Sequence, residues 1–485
     1  MSDFFDSLEF RETLKKYQSW RSGGTPVFLD SDEYADIAEY YQSIGNDEES
    51  LAAIEQGLSI FPTATAPLIT RCHLALLAGD ISAAEHFFSK ICDKSDPDYL
   101  MLQGEIFLAK NASAEANAYY LKMLERYSGD ERLKYIIDTA TIMADYNAMD
   151  MARQWLDRCD AISLTNDWLA ECDDNVRIAY EELKARLLLA EGDYENSLKL
   201  FRRLVDEEPF SGYYWNQIST CQYMQGKLPE AITSLEYALA INANDKEALL
   251  NKGNALMALH NDRAALACFH RYAELSPNDG IGEYYQALCH TNLNELQEAL
   301  LCIEEAERKN EGKGDALADI YQEKAFILSQ IGRLDDALRV TDLLGDIEPM
   351  AQEAQVLRGN IFLTRHRTEE ARACFEQAAK DSGNAAPILL KIAISVYDNH
   401  YVARAYTLLK ALQEQEGGAY EPAYAYMALC AHDLDKRDEY LQYLQRALNH
   451  NANEVRQVLG HLFPDDMSPA DYYEQAKNED NEPFT

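Results

Sequence analysis

Apolar residues recur along this chain at intervals of three and four, in helix-length runs separated by short polar turns. The pattern is sharpest between Ser211 and Pro277. Trp215, Ile218, Ser219, Gln222 and Tyr223 share one side of a first run, and Ala231, Ile232, Leu235, Ala238 and Leu239 share one side of the next. That spacing predicts two amphipathic helices rather than strands. The turn between them reads Gly-Lys-Leu-Pro-Glu. Gly226 can take the left-handed conformation that closes a helix, and Pro229 suits the first turn of the next. The pattern then returns after about 34 residues, the length of a two-helix repeat. Ala265 falls over Ala231 and Phe269 over Leu235, while Gly226 and Asn261 end corresponding runs. A lone helix pair cannot bury its apolar faces, so the unit has to be stacked on copies of itself.

The same ruler fits most of the chain. A first unit from Ser31 carries Tyr34, Ala38, Gly45, Ile54 and Pro62; a second carries Cys72, Gly79, Ala84 and Phe88. Later units repeat the theme through Ala185 and Phe201, Ala287 and Ile303, Gly359 and Phe375, and Ala428 and Leu444. Residues 1–24 read as an N-terminal capping helix followed by a glycine-rich break. Residues 25–452 read as an array of about twelve repeats, and 453–485 as a short capping helix and an acidic tail. The connection 163–175, which holds Trp168, and the overrun at 311–317 are the expected flex points. The segment after Pro464 has few core-forming residues and is expected to be disordered.

The unit resembles the tetratricopeptide repeat. That mould has an early aromatic, a small residue four places on, Gly before the turn, then Ala, a bulky residue and Ala in the second helix. Trp215, Ser219, Gly226, Ala231, Leu235 and Ala238 supply it in one unit; Gly253, Ala265, Phe269 and Pro277 supply part of it in the next. The resemblance implies an all-α, right-handed α-solenoid of stacked helix-turn-helix repeats, with the first helix of each unit lining a concave groove. The inward places there would be held by Tyr213, Asn216, Thr220, Tyr223, Met224, Leu250, Asn254, Met257, Tyr284 and Asn292, with Glu247 and Thr291 beside them. Aromatic rings and methionine supply area for a peptide's side chains, and amides supply hydrogen bonds for its backbone. No three consecutive units carry the lysine, asparagine and arginine set with which part of the family grips chaperone C-termini.

Charge narrows the partner. The chain has 83 acidic and 44 basic residues and a formal net charge of −39. Nucleic acid and anionic membrane surfaces are therefore disfavoured, and a neutral or basic protein or peptide is favoured. No phosphate loop, nucleophile elbow or metalloprotease motif occurs, so the chain reads as a non-enzyme without cofactor or metal. Cys221, Cys289 and Cys430 recur at one repeat place and Cys268, Cys302 and Cys374 at another. Cysteines that recur so behave as small core residues, consistent with a reducing, cytoplasmic setting. The leading expectation is a protein-binding scaffold. The alternatives are a self-assembling structural protein forming a homo-oligomer, or an accessory subunit of a larger complex.

Overall fold

The computed structural model describes residues 2–5, 7–23, 28–163, 173–311, 314–464 and 467–478 of the 485. Their regular structure is entirely helical, and from Ser31 onward it falls into twelve consecutive helix pairs, A and B. The chain divides at Pro209 into two units. Five pairs lie in the first, from Ser31–Ser43 with Asp47–Ile60 to Asp174–Ala190 with Tyr194–Glu207. Seven lie in the second, from Gly212–Met224 with Leu228–Ile241 to Tyr424–Asp433 with Arg437–His450.

Each A–B turn is closed by one residue at positive φ. In order these are Gly45, Gly79, Asn111, Asn147, Gly192, Gly226, His260, Asn294, Gly332, His366, His400 and Asp435. Glycine takes this conformation freely, and Asn, Asp and His tolerate it better than other side chains. In return the helix C-terminus is capped: the Gly226 and Lys227 amides donate to the Tyr223 and Gln222 carbonyls, both at 2.9 Å. The same bonds form one repeat later from His260 and Asn261 to Met257 and Leu256. His260, rather than Asn261, is thus the counterpart of Gly226. Asn261 stands one place on, at the N-terminal cap of the next helix. The turn position accounts for three of the ten histidines.

Between A and B, a small residue on A meets a bulky one sixteen places later on B. Gly104 faces Tyr120, Gly253 faces Phe269 and Gly359 faces Phe375. A Cβ on Gly253 would lie 2.4 Å from the Phe269 ring, so only glycine fits the pair as it stands. Elsewhere both partners change size: Ala38 with Ile54, Cys72 with Phe88, Ala140 with Leu156, Ala185 with Phe201, and Ala428 with Leu444. All ten of these are buried except Phe88, which is half-buried. Two buried polar groups at the crossing are paired, whereas Ser50 Oγ, at the repeat place of Ser197, has no partner among the described residues. Ser234 donates to Gln222 Oε1 at 2.7 Å, and Ser197 donates to the Ala185 carbonyl at 2.8 Å.

Helix Leu8–Arg21 precedes the first pair. Its Phe10, Leu14 and Tyr17 join Tyr34, Ile37 and Tyr41 in one cluster, and Arg21 forms two hydrogen bonds with Glu49. At the other end, helix Ala452–Leu459 buries Val455 and Leu459 against the last pair. The segment after Pro464 departs from expectation. Helix Tyr472–Asn478 is packed, with Tyr472 stacked on Phe463 at 3.9 Å and Arg437 bonded to the Ala476 carbonyl. The Phe463–Tyr472 stack, the buried Ala476 and this hydrogen bond hold it, although its average composition is polar. Of the expected flex points, 164–172, with Trp168, and 312–313 lie outside the described residues.

Of the nine described cysteines only Cys92 is exposed. Burial pushes the Cys72, Cys289 and Cys430 thiols up to about 12, so their reactive thiolates are suppressed. Titration of native protein with a disulfide reagent should show Cys92 reacting fast and these three reacting only on unfolding. Cys92→Ser should remove one fast equivalent, and rapid reaction of Cys289 would contradict the packing described. For the A–B crossing, Gly253→Ala and Ala265→Leu should each lower stability by about 1–3 kcal/mol through overpacking. Thermal melts followed by circular dichroism would check this, and unchanged melts would refute the register at that repeat.

Candidate binding groove

Because the B helices take the bulky side of each crossing, one face of the A helices is left to meet solvent or a ligand. In the second unit this face carries a cavity of about 510 Å³. Its floor is the A–B crossing of one repeat, with Ser219, Ala231 and Leu235. Its walls are Thr220 and Tyr223 from helix Gly212–Met224, Asn251, Asn254, Met257 and Ala258 from helix Lys246–Ala258, and Tyr285 from the next A helix. Gln457 of helix Ala452–Leu459 completes it.

The cavity brings together four of the ten residues expected from sequence: Thr220, Tyr223, Asn254 and Met257. Tyr213 and Met224 are exposed but do not line it. Leu250 is half-buried against the Cys268 and Phe269 cluster. Asn216 is 2% exposed and so is not presented to solvent; its Nδ2 donates to Asp245 at 3.2 Å, while its Oδ1 has no partner among the described residues. It is drawn inward by Asp245, which also caps the following helix by accepting from the Ala248 amide. Asn292 donates to Asp262 Oδ1 at 2.8 Å, tying its turn to the start of the preceding B helix. Tyr284 packs edge-on against Tyr285 at 5.3 Å, and burial, with Asp319 and Glu323 nearby, pushes its hydroxyl up to about 12.

Four lining residues, Asn251, Ala258, Tyr285 and Gln457, were not singled out from sequence. Asn251 lies three places before Asn254, on the same face of the helix, and that spacing is the signal that identifies it. Tyr285 is stacked on Phe269 at 4.9 Å, which fixes its ring at the cavity edge. Gln457 has no local sequence signal, because it arrives from the far end of the unit.

The A helices of the first unit carry a run of carboxylates, unlike the lining of this cavity. Asp36 and Glu39 on one A helix, His73 on the next, Asp98 and Glu105 on the third and Asp138 on the fourth form an acidic strip. Burial, then the neighbouring carboxylates Glu39, Asp32, Asp30 and Glu33, raise Asp36 to about 6. Burial also raises Glu39, with Asp98 adding to it and His73 opposing. For His73 burial acts to lower the pKa, but Glu105 at 3.5 Å, Glu39 and Asp98 outweigh it and hold it raised. Among the described residues no group of three or more His, Cys, Asp or Glu is placed to hold a metal ion. None of their helices is long and apolar enough to cross a membrane.

The architecture is that of an all-α repeat protein built from stacked helix pairs. Residues 183–246 and 250–313 match the family model for the tetratricopeptide repeat, and the twelve helix pairs of the described residues share the architecture of such repeats. Repeats of this family generally mediate protein–protein interactions and are usually non-catalytic. No curated protein matches the chain. Among solved structures, a tetratricopeptide repeat protein from Parabacteroides merdae is 18% identical over 52% of this chain and 98% of its own, with a TM-score of 0.43. Yeast Tom70 is 12% identical over 93% and 96%, also with a TM-score of 0.43. YrrB, described as having an unusual peptide-binding site, is 17% identical over 39% and 95%, with a TM-score of 0.31.

The acidic strip generates a pH dependence. A carboxyl whose pKa is raised by folding destabilises the fold while it is ionised. For Asp36 that penalty is full above about pH 6 and vanishes as the pH falls toward its ordinary value near 3.8. A raised histidine contributes stability at low pH that is lost as the pH rises through its folded value, so His73 acts in the same direction. Asp36→Asn should therefore melt higher than the natural chain at pH 7.5, by about 1 kcal/mol once solvent screening at a partly exposed site is allowed for. The gap should close near pH 4.5. A gap that is constant across this range would show that Asp36 is not shifted.

Proposed function

We propose that the protein is a non-catalytic binding scaffold and that the cavity face of residues 212–292 holds a peptide or protein segment, neutral or basic in charge. The observation that carries this is the convergence of two tyrosines, a methionine and two asparagines from three successive A helices on one cavity. Tyrosine and methionine supply contact area that adapts to side chains, and primary amides both donate to and accept from a peptide backbone. Tyr223 is 39% exposed, so it can be truncated without opening the core. Such an anchor typically contributes about 2 kcal/mol or more to binding, or roughly thirty-fold in affinity.

The test begins with a partner captured by the full chain from its source cells, whose affinity is then measured by calorimetry. Tyr223→Ala and Asn254→Ala should each weaken it by about ten-fold or more, while circular dichroism stays unchanged. Unchanged affinity in both folded variants would remove this face as the site. Light scattering at two concentrations separates the alternative, since an oligomer that persists on dilution supports self-assembly.

A further inference from the structure

We infer that helix Ala452–Leu459 is the second wall of this binding site and that its Gln457 recognises the same ligand, an extended and uncharged polypeptide segment. This rests on reading the cavity as the binding site. Gln457 lies far along the chain from Tyr223 and Asn254, yet it lines the same cavity. The seven pairs of the second unit therefore bring the helix that follows them to the cavity of its first two repeats.

The helix is held so that this side chain faces the cavity. Asn451 caps it by accepting from the Glu454 amide at 3.2 Å, and Val455 and Leu459 are fully buried on the last pair. With those residues facing the core, Gln457 is left exposed and makes no hydrogen bond to any described residue. It offers a donor and an acceptor across from Asn251 and Asn254.

The lining decides the ligand's chemistry. Besides the hydroxyls of Tyr223 and Tyr285, the polar lining residues are Ser219 in the floor and Thr220, Asn251, Asn254 and Gln457 in the walls, and the lining includes no Asp, Glu, Lys or Arg. This is unusual placement in a chain in which 26% of residues are charged. A lysine or glutamate side chain entering here would lose hydration without meeting an opposite charge. An uncharged segment carries no such penalty. Amides on two facing walls suit a strand, whose backbone N–H and C=O groups are open along both edges. A helical ligand has already satisfied those groups internally and would leave the amides idle.

The experiment uses the full chain and an array of immobilised ten-residue peptides of Ser, Thr, Asn, Ala, Leu and Tyr. Matched peptides carry Lys or Glu at every third place. The natural chain should bind a subset of the uncharged peptides and lose them when either charge is introduced. Gln457→Ala and Tyr223→Ala should each weaken that binding by about ten-fold. Loss in Tyr223→Ala with no change in Gln457→Ala would overturn the second wall and leave the site itself standing. No change in either variant would overturn both. Selection of charged peptides, or of none of the uncharged ones, would overturn the assignment of ligand class. Because Gln457 is exposed, its truncation leaves the fold intact, and a circular dichroism melt verifies this for each variant.

Discussion

The contact on which the structure depends is the one between a small residue on helix A and a bulky residue sixteen places later on helix B. It recurs from Ala38 and Ile54 to Ala428 and Leu444, and it sets how closely the two helices of every pair approach. The intervening turn has to deliver the B helix in a fixed register. A single left-handed residue per turn does this, whether it is Gly226, His260 or Asn294. Neither device is stable alone. A pair exposes apolar surface on both sides, and only the neighbouring pairs cover it, so stability is shared along each unit rather than centred in one core.

That arrangement also leaves one surface outside the packing. The B helices and the buried sides of the A helices are committed to packing, while the remaining A-helix positions tolerate varied chemistry. The two units use this freedom differently. The first lines its face with Asp36, Glu39, Asp98, Glu105 and Asp138 around His73, whereas the second gathers uncharged amides, tyrosines and methionine around one cavity. Carboxylates are not confined to the first unit, since Glu247, Glu323 and Asp398 stand part-buried on A helices of the second, but none of them lines the cavity.

The fold was legible in the sequence because a repeat states the same packing rule many times. A misplaced turn, such as Asn261 for His260, is corrected by its neighbours. The face was legible in part. Thr220, Tyr223, Asn254 and Met257 converge as their repeat places imply, since their helices are held in register by the A–B contact. Asn216 occupies an equally favourable place but is drawn inward by Asp245, a partner chosen by local geometry rather than by the repeat. Gln457 was not legible, because its position depends on how curvature accumulates over seven pairs, and no local pattern records that. Helix Tyr472–Asn478 escaped for a related reason: two aromatic residues meeting a specific surface outweigh a polar average.

The most direct test of the shared register is to excise one whole unit. Removing residues 246–279 joins Asp245 to Gly280 at equivalent repeat places, so the flanking pairs should stack on each other. The shortened chain should keep helical circular dichroism in proportion to its length and should melt cooperatively. Loss of helicity well beyond the excised segment, or loss of a cooperative melt, would contradict the view that successive repeats pack through one interchangeable interface.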